Sequence, residues 1–133
     1  MIKIHELEFG TIRIQDKLLI SELKEGILFD VESNRQLLKL GEEEFQGQPY
    51  GYISNRIFSY AVDPLVYRES AAHLPLKAIA VVTNTELGWK SAELEKSFYS
   101  NSNRFEIFRS CEEAVRWMDE ILHATANQRR TFP

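Results

Sequence analysis

Tyr50-Gly51-Tyr52-Ile53-Ser54-Asn55-Arg56 reads as an aromatic β-strand that stops abruptly in a polar triplet. A turn-rich connection carries the chain to Asp63-Pro64, a capping carboxylate ahead of a proline at the first helical position. A strand that feeds a helix in this way belongs to an α/β sheet. The carboxyl ends of such strands are where these sheets bind ligands. Further on, Leu76-Lys77-Ala78-Ile79-Ala80-Val81-Val82 is nearly continuous apolar sequence, which fits an interior strand covered on both faces.

Outward from these two strands the elements alternate. The N-terminal third predicts a β-meander through Ile2–Ile4, Thr11–Ile14 and Leu18–Leu23, with Asp16-Lys17 as a tight hairpin turn. Leu37, Leu38, Gly41 and Phe45 recur at helical spacing after a capping pair at Ser33 and Gln36. A helix runs from Asp63-Pro64 to about Ala72. The next starts at Thr83 with Glu86 completing a capping box, and Leu87, Ser91, Leu94 and Phe98 make its buried face. Trp89, with Ala92 and Tyr99, gives that helix a second apolar face suited to self-association. Arg104–Phe108 alternates as a half-buried strand. Ser110 and Glu113 then cap a helix whose stripe is Ala114, Val115, Met118, Ile121 and Leu122. From Ala124 to Pro133 periodicity disappears, so residues 1–123 are expected to form one domain and 124–133 a flexible tail.

The composition bounds the function. A chain of 133 residues is one domain's worth of sequence, and 44% hydrophobic with 27% charged residues is globular composition. The balance of 20 acidic against 16 basic residues lacks the basic excess of a nucleic-acid binder. No apolar run is long enough to span a bilayer, and Met1–Glu6 lacks an apolar signal core, which predicts a cytoplasmic location. The single Cys111 has no partner for a disulfide and reads as structural.

Several chemistries have no local signature. The six glycines form no phosphate-cradling loop. His5, His73 and His123 lie in separate elements, and no serine sits in a nucleophile elbow. No metal or cofactor is expected. An enzyme with a site assembled only by the fold is the least supported class.

The candidate site is the end of the aromatic strand: Tyr52, Ser54, Asn55 and Arg56, with Ser59, Tyr60 and Asp63. In one reading Arg56 grips a phosphate or carboxylate in a bidentate fork and Asn55 orients it. In the other the triplet is a rigid turn, with Asn and Ser bonding their own backbone and Arg56 paired with an acid such as Asp63. The turn reading is the simpler, because loops need such bonds with or without a ligand.

The run Leu18–Asp30 with the helix after it resembles the strand–glycine–helix opening of STAS domains, the SpoIIAA-like anti-sigma-factor-antagonist modules. The likeness spans roughly residues 11–123. Gly51–Arg56, Ser59–Pro64, Leu76–Val82 and Ser91–Phe98 are further similar to small bacterial STAS/SEC14-like proteins of unsettled function. The resemblance implies a mixed, mostly parallel sheet with an antiparallel N-terminal edge and about four helices. It also implies a non-enzymatic binding or regulatory module that engages a protein partner or itself. The alternative it implies is a SEC14-like carrier of a small anionic or lipid-like ligand near residues 52–63. The phospho-acceptor serine of regulatory STAS domains has no counterpart, since Asn55-Arg56-Ile57-Phe58-Ser59-Tyr60 occupies its place.

Overall fold

The computed structural model describes residues 2–130, with side chains through Thr125. Six strands form one sheet in the order β1-β2-β3-β5-β7-β8. β1 (Ile2–Leu7), β2 (Gly10–Gln15) and β3 (Leu18–Leu23) are an antiparallel meander. The hairpin between β2 and β3 turns at Asp16-Lys17 as expected, with Asp16 at φ 54°. From β3 inward the pairing is parallel, through β5 (Tyr50–Asn55) and β7 (Leu76–Val82) to β8 (Phe105–Phe108). The mixed, mostly parallel sheet with an antiparallel N-terminal edge and four helices is therefore the fold observed. Two short strands were not foreseen: β4 (Leu28–Phe29) and β6 (Ala61–Val62) pair in parallel beside the main sheet.

Each parallel step carries one helix, α1 (Val31–Phe45), α2 (Val66–Ala72) and α3 (Glu86–Lys96), and all three contribute to one core. That core centres on Ile12, Leu19, Tyr50, Ile79, Tyr67 and Phe105. The opposite face is covered by the long α4 (Cys111–Arg130), whose Ala114, Met118 and Leu122 meet Leu18, Ile20, Ile53 and Ala80. Alternation along β5 thus sends Tyr50 inward on one side and Ile53 inward on the other. Two glycines set the layer spacing: a Cβ on Gly41 would collide with the Tyr50 ring, and one on Gly51 with Met118.

Several boundaries shift. α1 is capped by Asp30, which accepts the Ser33 N–H at 2.9 Å, because β4 ends there. Ser33 and Gln36 therefore lie inside the helix. Asp63 accepts the Leu65 N–H at 3.0 Å in a turn that precedes α2, so the helix begins two residues later. α3 is capped by Thr85, whose hydroxyl accepts the Gly88 N–H, because Thr83 still pairs with Phe108 along the strand direction. Ser110 caps α4 as read, its hydroxyl accepting the Glu113 N–H at 3.2 Å, while the Glu113 carboxylate accepts from that same hydroxyl and not from the Ser110 backbone. α4 continues to Arg130 where loss of periodicity suggests an end near residue 123; Ala, Gln and Arg have high intrinsic helix propensity. Residues 131–133 of the expected tail lie outside the described residues.

The largest reversal is in α3. Leu87, Leu94 and Phe98 are 77%, 65% and 48% exposed, and Ser91 is exposed with them. The buried positions are Ala92, Glu95 and, just past the helix, Tyr99. The apolar stripe therefore faces out, and the inner face is chosen by small residues and one carboxylate.

Candidate functional site

That carboxylate explains the choice. β5 delivers Arg56 at its carboxyl end, where the backbone N–H of Arg56 still bonds the Val82 carbonyl of the neighbouring strand. The guanidinium turns under α3 and meets Glu95 as a fork: Nη1 to Oε2 at 2.7 Å and Nη2 to Oε1 at 2.6 Å. Only 11% of the Arg56 side chain and 8% of the Glu95 side chain reach solvent. Arg56 Nε donates to Ser54 Oγ, which shares a hydrogen bond with Tyr60 Oη, and the guanidinium lies over the Tyr60 ring. Tyr67 donates to Glu95 from the α2 side. Tyr52 Oη pairs with Ser21 Oγ at 2.6 Å. Burial pushes the phenols of Tyr52, Tyr60 and Tyr67 up, so these rings stay neutral donors. The Arg56 guanidinium is held charged: burial opposes the charge and the Glu95 fork overrides it.

The residues singled out in the sequence thus divide. Tyr52, Ser54, Arg56 and Tyr60 gather in one buried network. Asn55 turns to the other face of the sheet and donates to Glu22 at 3.0 Å. Ser59 and Asp63 serve the connecting loop, Ser59 through its backbone N–H on Glu25 and Asp63 through Leu65. The acid paired with Arg56 is Glu95 and not Asp63. Glu95 and Tyr67 were not among the site residues singled out; Glu95 stands three residues after the buried Ala92, a helical spacing, whereas Tyr67 adjoins Val66 and no spacing marks it.

Above this network, at the carboxyl ends of β5 and β7, lies a cleft of about 380 Å³. One wall is residues 55–60; the other is residues 82–85 with Leu87, Gly88 and Ser91 of α3, and Arg109 closes the end. The Arg109 guanidinium sits over the Trp89 ring, 4.9 Å from its centroid. Exposed Ile57, Phe58 and Leu87 give the cleft an apolar lip. Elsewhere the half-buried Cys111 thiol is pushed up by burial, which suits a structural cysteine. Among the described residues no three His, Cys, Asp or Glu side chains converge as metal ligands, and no helix is long and apolar enough to cross a membrane.

No protein-family model matches this chain, and no curated protein matches it either. A similar solved structure is the crystal structure of an uncharacterized protein from the DUF3478 family with a SpoIIAA-like fold, from Shewanella loihica PV-4. It is 15% identical, with a TM-score of 0.49, over 89% of this chain and 92% of that one. Likeness at that level carries no argument about function, which has to be argued from the site.

Proposed function

We propose that this chain is a cytoplasmic, non-enzymatic binding or regulatory module that engages a protein partner or a second copy of itself beside the cleft. The observation that carries the reading is the outward stripe of α3, where Leu87, Ser91 and Leu94, with Phe98 just past the helix, stand exposed at helical spacing, and where Leu87 and Ser91 share the cleft with exposed Ile57 and Phe58. Exposed apolar residues grouped on one side of a fold mark interaction surfaces, whereas scattered ones do not. The buried groups beneath argue for support and against proton transfer, since Arg56 and Glu95 neutralise each other. A ligand held by Arg56 itself, as the carrier alternative requires, would have to compete with Glu95, which already occupies one N–H of each terminal nitrogen, and with Ser54 on Nε.

The test is sedimentation velocity over a wide concentration range on the wild type and the Leu87→Ser/Leu94→Ser double variant, with cross-linking from position 94 in cells. Concentration-dependent association, or a partner captured at position 94, with loss in an equally stable variant, is the expected result. A wild type that stays monomeric and captures nothing would sink the reading.

A further inference from the structure

We propose that the polar end of the cleft, at the N-terminus of α3, binds the phosphate group of a small molecule. The inference rests on the cleft being a binding site, and it holds whether or not a partner docks on the apolar stripe.

Four observations concern this one cleft. Among the described residues none that lines the cleft is acidic, although the chain carries 20 acidic residues against 16 basic ones. An acidic protein has kept carboxylates out of this concavity and placed Arg56 and Arg109 in it. The Arg56 charge is already balanced by Glu95, which leaves Arg109 as the cation without a carboxylate partner among the described residues. Second, the eleven-residue α3 points its N-terminus into the cleft. Thr85 caps the Gly88 N–H, and the first-turn N–H groups of Glu86 and Leu87 have no partner within the helix.

Third, Thr83 is 4% exposed, lines the cleft, and its hydroxyl meets no hydrogen-bonding partner among the described residues. The hydroxyl is not among the fully enclosed unpartnered atoms, so it opens onto the cleft as a free donor beside the helix end. Fourth, position 88 must be glycine for this arrangement. A Cβ there would collide with Thr83 Oγ1 and lie 2.8 Å from Thr85 Oγ1. The helix start, one hydroxyl and one guanidinium therefore line the same cleft. A phosphate accepts from several directions at once, which matches such a set better than a planar carboxylate does. The apolar lip of Ile57, Phe58 and Leu87 lies where the organic part of a phosphomonoester would emerge.

The experiment is an NMR titration of the isotope-labelled full chain at constant ionic strength, with inorganic phosphate, phenyl phosphate and benzoate as probes. Saturable shifts at the amides of Thr83, Glu86 and Leu87 and at the Trp89 indole N–H are expected for both phosphates. Thr83→Val and Arg109→Ala should each weaken them by about tenfold, the worth of one charge-assisted hydrogen bond. Arg109 is exposed, so its variant reports binding even if Thr83→Val does not fold. Phenyl phosphate binding more tightly than inorganic phosphate identifies an ester; equal binding identifies free phosphate. Non-saturating shifts, unchanged affinity in the variants, or benzoate binding equally well would overturn the proposal. A failed titration together with association lost in the Leu87→Ser/Leu94→Ser variant would sink the phosphate site and leave the partner surface standing.

Discussion

Arg56 and Glu95, 39 residues apart in the chain, share two parallel hydrogen bonds of 2.7 and 2.6 Å inside the fold. The pair ties the end of β5 to the inner face of α3, and Tyr67 adds a third bond from α2. Removing one partner leaves a buried charge uncompensated, which costs far more than removing both. Glu95→Ala is expected to lower unfolding stability by about 3–5 kcal/mol, whereas Arg56→Met with Glu95→Leu costs clearly less. Urea unfolding of the three proteins checks this. A single variant as stable as the double would mean the pair contributes nothing to docking α3.

Gly41 sets two effects against each other. Alanine in place of a helix-interior glycine favours the helix by about 1 kcal/mol. Here the added Cβ would press on the phenol of Tyr50, 2.6 Å from its Cζ, and that ring is 1% exposed and stacked on Phe45. Overpacking of this kind costs roughly 1–3 kcal/mol, so packing wins. Gly41→Ala is expected to lower the urea midpoint; a raised midpoint would show that α1 can lift off the sheet at no cost.

The succession of main strands and helices along the chain was legible because its signals are local. Leu76–Val82 is apolar on both faces, and β7 is interior. The orientation of α3 was not legible. Leu87, Leu94 and Phe98 present the stronger apolar pattern, and pattern alone turns them inward. The structure turns them out because Arg56 arrives under the helix with a charge that needs Glu95, and because Gly88 and Ala92 allow close approach. A carboxylate chosen for the core by a distant arginine looks like a surface residue in the sequence. The same holds for the site: Tyr52, Ser54, Arg56 and Tyr60 were adjacent enough to group, while Glu95 and Tyr67 came from other elements.

The start of α3 gives a sharper check on boundary reading. Thr85 accepts the Gly88 N–H at 2.9 Å and is exposed, so its contribution to stability is that of the cap. Thr85→Ala is expected to cost about 1 kcal/mol in urea unfolding, and Thr85→Ser to recover most of it. If Thr85→Ala were neutral, the cap would lie at Thr83 as the capping-box pattern suggests.

His73 makes the fold acid-sensitive. It packs edge-on against Tyr50, and burial holds its imidazole below the ordinary 6.5, against the opposing pull of Glu42 at 3.7 Å. The unfolded chain therefore takes up a proton at this residue more readily than the folded one. Stability is fully present above about pH 6.5 and declines as pH falls through that value toward the folded pKa. A second decline follows at lower pH. The Ser33 backbone N–H holds Asp30 below its usual 3.8, and the Arg35 hydrogen bond holds Glu69 below its usual 4.5. Both carboxylates contribute stability that is lost as pH drops through their folded values. His73→Phe keeps the ring contact and removes the titration. Urea midpoints measured from neutral to acid pH should show the first decline in the wild type and its loss in the variant, with the carboxylate decline unchanged. Identical first declines in the two proteins would move the acid sensitivity away from His73.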